Sequence, residues 1–205
     1  MGLDLTLFMA DWKQLRALPV EHRTDALDDA VRPPEPDEAY RCGRRPAGGL
    51  LWPPDPAVAW CAEYVFATTG AYSPHGRTGA AWADMRLLVD ASVREAMDTF
   101  LVGLIPEADP AVGPASTGGG IFPPAADRRQ AGILLVCPPE VLPGKARAWE
   151  RAEPRIDELR GPFAAECEGW AGRPDTFEDF VALLREWGHV TAEAARRGWG
   201  LVGLP

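Results

Sequence analysis

The segment Arg173-Pro-Asp-Thr-Phe-Glu-Asp-Phe-Val-Ala-Leu-Leu-Arg-Glu-Trp-Gly-His-Val-Thr-Ala-Glu-Ala-Ala-Arg-Arg-Gly-Trp-Gly-Leu-Val-Gly-Leu-Pro205 carries the clearest structural instruction in the chain. Asp175 or Thr176 offers a short side-chain oxygen to the orphan N–H groups of a first helical turn. Glu178 and Asp179 follow, where negative charge suits the positive end of the helix dipole. Phe177, Phe180, Val181, Leu184, Trp187, Ala194 and Ala195 recur at three- and four-residue steps and share one face. Arg196 and Arg197 close the segment, and Gly198 supplies the left-handed residue that ends many helices. The spacing predicts a helix over 176–197, about 33 Å long at ~1.5 Å per residue. Gly188 is its weak point, costing about 1 kcal/mol relative to Ala. The apolar tail 199–204 reads as a strand. A helix returning onto a sheet through a tight Gly turn is therefore the frame for the rest.

Working outward, residues 2–9 alternate, with Leu3, Leu5, Leu7 and Met9 on one side and Asp4, Thr6 and Phe8 on the other. A period of two predicts a strand with one well-buried face. Residues 131–137 form a short continuous apolar run between turn residues, which predicts a central strand. Between these strands the apolar residues recur at helical steps. Asp11 caps a helix over 12–18, and Pro19 opens a second. Asp55-Pro56 opens one that Gly70 ends, with Val58, Cys61, Ala62, Val65, Phe66 and Thr69 as its stripe. Ala71–Gly76 reads as a turn. Residues 79–89 resume a helix with Trp82, Met85, Leu88 and Val89 inward. Ser92-Val-Arg-Glu95 matches a capping box and predicts a start at 93. Residues 140–152 and 155–165 are helical, broken at Pro154.

The expected architecture is α+β: a small, mostly antiparallel or mixed sheet (strands near 2–9, 131–137 and 199–204) covered by about seven helices. Strands far apart with helices bunched between them argue against regular βαβ alternation. Residues 1–205 suit a single domain with long Pro- and Gly-rich loops at 32–54 and 106–130. The chain has 205 residues, enough to bury a core without staples.

Composition narrows the function more by exclusion than by indication. The net charge is −9, and Arg41, Arg44 and Arg45 form the sole basic cluster, so a nucleic-acid partner is not expected. No apolar run approaches the ~20 residues that span a bilayer, so no membrane partner is expected either. The start Met1-Gly-Leu-Asp carries an acid where a secretory signal needs positive charge, and the expectation is a cytoplasmic protein with reduced thiols. Cys42, Cys61, Cys137 and Cys167 form no C-x-x-C pair and none lies near a His, so no metal site is expected, and no cofactor.

Four candidate motifs fail on their context. Gly118-Gly-Gly120 lacks the preceding strand and following helix of a dinucleotide loop. Gly144-Lys145 lacks both the first Gly of a P-loop and the hydroxyl that would hold magnesium. Ser116 lacks the Gly two positions earlier that a nucleophile elbow requires. Glu166 and Glu168 flank Cys167 and would raise its thiol pKa, the wrong direction for a nucleophile.

The remaining candidates are binding residues, and no catalytic residue is assigned. His75 sits in a predicted turn beside Ser73 and Arg77, where Glu63 or Tyr64 from the preceding helix would line a pocket with it. Trp52 and Trp170 lie in loops, and a large rigid loop side chain suits a binding surface.

The start Met1-Gly2 leading into an alternating strand resembles the YfbM-like domains of unknown function. So do the middle strand near Ile133–Val136 followed by Pro-Pro-Glu-Val141, and the close Phe177-x-x-Phe-x-x-x-Leu184 through Ala194-Ala195-x-x-Gly198. The resemblance covers about a third of the chain. It implies a small α+β bacterial domain and brings neither an activity nor site residues. Two functional expectations stand. One is a non-enzymatic binding or interaction protein, of accessory or immunity type, whose partner is another protein. The other is a hydrolase or other small-molecule enzyme with a pocket near Glu63, His75 and Arg77.

Overall fold

Thr176 accepts a hydrogen bond from the Asp179 amide at 3.1 Å and opens a 21-residue helix, Phe177–Arg197. Gly198 ends it at φ 68°. The Gly198 amide donates to Ala195 O and the Trp199 amide to Ala194 O, the paired bonds of a Schellman motif. The computed structural model describes residues 3–31, 48–105, 121–122 and 132–205. Most of the 32–54 and 106–130 connections lie outside them, with Arg41, Arg44, Arg45, Cys42, Ser116 and Gly118–Gly120.

In chain order the elements are β1 (Thr6–Ala10), α1 (Trp12–Ala17), α2 (Arg23–Val31), β2 (Gly49–Leu51), β3 (Cys61–Val65), α3 (Tyr72–Met85), α4 (Ala91–Leu101), β4 (Leu135–Cys137), α5 (Leu142–Ala152), α6 (Arg160–Glu166), α7 (Phe177–Arg197) and β5 (Gly200–Leu204). Six of these helices run for seven residues or more, and α1 is shorter. The strands form one sheet in the order β2-β3-β1-β5-β4. Every neighbouring pair is antiparallel. The fold is α+β.

Both faces of the sheet are buried. Leu7, Met9, Ala62, Tyr64 and Leu201 face the larger core, which is completed by residues of α3 to α7. Phe8, Ala10, Cys61, Val202 and Leu204 face a second core with Trp12, Leu15, Leu27, Val31, Ile121 and Phe122. The expected single buried face of the first strand is thus corrected: Phe8 is as buried as Leu7.

The main correction falls on residues 56–69. They hold a 3-10 turn, Pro56–Val58, and then β3 rather than a helix. β3 lies between β2 and β1 and is buried on both sides, so its residues lose the polar alternation that marks a half-buried strand. β2 is a three-residue strand inside the expected loop 32–54, too short to show any period. The expected turn 71–76 forms the start of α3, and Pro74 sits in its first turn, where an amide has no intrahelical partner. Asp90, not Ser92, caps α4, accepting from the Ser92 amide at 3.0 Å.

Gly188 is a packing requirement rather than a weak point. A Cβ there would stand 2.2 Å from Trp149 Nε1, so only Gly lets α5 approach α7 so closely. Gly200 plays the same part in β5, where a Cβ would meet the Trp12 ring at 2.1 Å. Two buried cations close helix ends. Lys145 Nζ donates to Thr99 O and Phe100 O at 3.2 Å each, and also to Val102 O, satisfying the last carbonyls of α4. Arg23 donates to Leu18 O at 3.0 Å, Arg16 O at 3.3 Å and Ile121 O, tying α1 to the second core.

Candidate functional site

The register of the sheet decides the fate of the expected pocket. Tyr64 opposes Leu7 and Glu63 opposes Phe8. In an antiparallel pair, opposed side chains share a face. Tyr64 therefore points into the larger core and Glu63 towards the second one. His75, on α3, makes its contacts in the larger core. Its ring meets Phe66 at 4.7 Å and Trp187 at 5.6 Å between centroids. Tyr64 joins this group through Phe66 at 5.1 Å. Arg77, two residues further along α3, is exposed. The sheet stands between Glu63 and His75, and the expected trio of Glu63, His75 and Arg77 does not converge.

His75 is an interior residue, 0% exposed. Trp187 Nε1 donates to its Nδ1 at 3.0 Å. Indole N–H is only a donor, so Nδ1 is the acceptor and the neutral ring carries its proton on Nε2. Burial pushes the His75 pKa down to about 4, so the ring is neutral at ordinary pH. Burial, with the Glu186 carboxylate adding to it, pushes Tyr64 up to about 12. Glu186 itself accepts from the amides of Ala67 at 2.5 Å and Thr68 at 2.9 Å, holding the strand exit against α7. A neutral imidazole and a neutral phenol packed among aromatic rings are suited to holding α3, β3 and α7 together.

The three thiols of the described residues are equally unsuited to nucleophilic work. Burial raises Cys61 and Cys137 to about 12. Cys167 is raised to about 11, chiefly by burial and then by Asp84, with Glu166 a smaller contributor. Of the two flanking carboxylates Glu166 thus acts in the expected direction, yet Cys167 is buried against Ala81 O at 3.6 Å instead of lying in a solvated loop. Among the described residues no group of three His, Cys, Asp or Glu side chains is placed to hold a metal ion. No helix of the described residues is long and apolar enough to cross a membrane.

The two loop tryptophans part company. Trp52 is half-buried, set edge-on to Trp199 at 5.9 Å and covered by the Arg197 guanidinium at 4.5 Å. Arg197 is held in turn by Glu193 at 2.7 Å. Trp52 is therefore part of a closed cation–π cluster at the end of α7. Trp170 is 70% exposed. It sits in a tight turn from Cys167 to Arg173, closed by Trp170 N to Cys167 O at 3.1 Å and Arg173 N to Trp170 O at 3.3 Å. Arg173 pairs with Asp84 at 2.6 Å and docks this turn on the last turn of α3.

That docking exposes a feature the sequence pattern hides. α3 ends at Met85 and passes into a 3-10 turn, Arg86–Leu88. Leu87 is 77% exposed and Leu88 55%. Of the expected inward pair Leu88 and Val89, Val89 is buried and Leu88 is not. Three large apolar side chains thus meet water on two segments joined by the Asp84–Arg173 ion pair. A helical pattern continued through 86–88 could not reveal this. Comparison with family models, with curated proteins and with solved structures returns no match for this chain.

Proposed function

We propose that this chain is a non-enzymatic binding protein, of accessory or immunity type, that engages another protein through the surface bearing Trp170, Leu87 and Leu88. One observation carries the reading: the most exposed large apolar side chains of the described residues, Leu87 and Trp170, sit on segments pinned to each other. Side chains exposed in this way present apolar area to water at a cost that burial against a partner removes. Trp is also the residue most enriched among binding hot spots. The ion pair and the turn hydrogen bonds hold the Trp170 backbone in place, which lowers the ordering cost of association.

The reading includes a cytoplasmic site of action in a bacterium. Buried, unpaired thiols at Cys61, Cys137 and Cys167 support a reducing compartment. The likeness of the chain's ends to YfbM-like domains supports the bacterial setting and adds no activity. The hydrolase alternative would have to be rebuilt around other groups, since Glu63 and His75 face opposite sides of the sheet.

A photo-crosslinking experiment tests the proposal. p-Benzoyl-phenylalanine replaces Trp170 in one variant and Val20, another exposed apolar residue, in a second. In bacterial cytosolic extract, position 170 should give a discrete adduct that position 20 does not. Identical adduct patterns from both positions would refute the assignment of the surface.

A further inference from the structure

We infer that the partner segment engaged at this surface is basic, an apolar anchor flanked by Arg or Lys; the inference rests on the binding reading above and specifies its partner. The charges of the segment that bears Trp170 carry it. Between positions 166 and 179 the chain has five carboxylates, Glu166, Glu168, Asp175, Glu178 and Asp179, against a single arginine, Arg173. The arginine is already engaged by Asp84. Glu178 is engaged by Arg160 at 2.8 Å, and Asp179 is turned to the Thr176 cap at 2.6 Å. Glu166, Glu168 and Asp175 are exposed and form no ion pair with the described residues. Two of the three lie within four residues of Trp170.

The segment bearing Trp170 thus presents an exposed apolar side chain beside three exposed carboxylates that pair with none of the described residues. Such carboxylates raise the on-rate of a cationic partner and repel an anionic one. They also sort partners: a neutral apolar peptide would gain the Trp170 contact alone, whereas a basic one gains the contact and the field. The whole chain, at net charge −9, adds to that field in the same sense. A second copy of this acidic chain is disfavoured as the occupant for the same reason.

A random peptide display library selected on the full immobilised chain tests this. The selected peptides should carry Arg or Lys on both sides of an aromatic or Leu anchor. W170A should weaken them at least about thirtyfold, the scale of a hot-spot residue. E166Q/E168Q should weaken them about fivefold, the scale of exposed ion pairs, and raised salt should do the same. Both variants alter exposed side chains, so an unchanged Tm will show that folding is intact. Peptides that depend on Trp170 but are neutral or acidic would overturn the basic partner and leave the binding surface standing. Peptides indifferent to W170A, or no enrichment at all, would overturn the surface itself.

Discussion

Acid should destabilise this protein through His75. Folded His75 is buried, accepts from Trp187 and is held down to about 4, against an ordinary value of 6.5. The unfolded chain therefore takes up a proton that the native state refuses. By linkage the stabilisation is complete above 6.5, declines as pH falls towards about 4, and changes no further below it. At 1.36 kcal/mol per pH unit, that interval corresponds to about 3 kcal/mol. Against a total of about 5–15 kcal/mol this is a large fraction. Tyr64, held up to about 12, is silent in this window. Urea unfolding followed by tryptophan fluorescence at several pH values between 7 and 4 reads the effect. His75→Gln keeps an acceptor for Trp187 Nε1 but cannot titrate there. The stability gap between wild type and H75Q should narrow by about 3 kcal/mol from pH 7 to pH 4. Carboxylate titrations are common to both proteins and cancel in the difference. Parallel pH profiles would show that the imidazole is not a buried neutral group and would refute the reasoning.

Three further perturbations probe the packing. G188A should lower the Tm by several degrees, because overpacking against Trp149 costs about 1–3 kcal/mol and outweighs the helix-propensity gain of about 1 kcal/mol; a rise in Tm would contradict the close approach. K145M removes the donor to three carbonyls at the end of α4 and should cost about 2–3 kcal/mol in urea unfolding; an unchanged midpoint would show those carbonyls to be otherwise satisfied. E186A should accelerate hydrogen exchange of the Ala67 and Thr68 amides while leaving that of β1 unchanged; equal exchange in both proteins would remove the latch.

The parts of this fold that could be read from sequence are those settled locally. Thr176, Gly198 and the stripe between them act through neighbours three or four residues away, and α7 follows their pattern closely. β3 could not be read because burial on both faces erased its alternation, and Cys61, Ala62 and Val65 happen to fall at helical steps. His75 looked like a turn residue because its partner, Trp187, lies 112 positions away. Glu63 or Tyr64 looked able to line the pocket from a helix, but they lie in a strand, where consecutive side chains point to opposite faces. Trp170 was legible as a loop tryptophan, whereas the tie between its turn and the end of α3 depends on one long-range ion pair, Asp84–Arg173.

The central claim is that binding occurs at the Trp170 end and that the aromatic interior around His75 is structural. Hydrogen–deuterium exchange of the chain alone and with its crosslinked partner or selected peptide measures this most directly. Protection should appear over residues 84–88 and 166–175, with exchange around Tyr64, His75 and Trp187 unchanged. Protection centred on that aromatic group, with none at 84–88 or 166–175, would contradict the account.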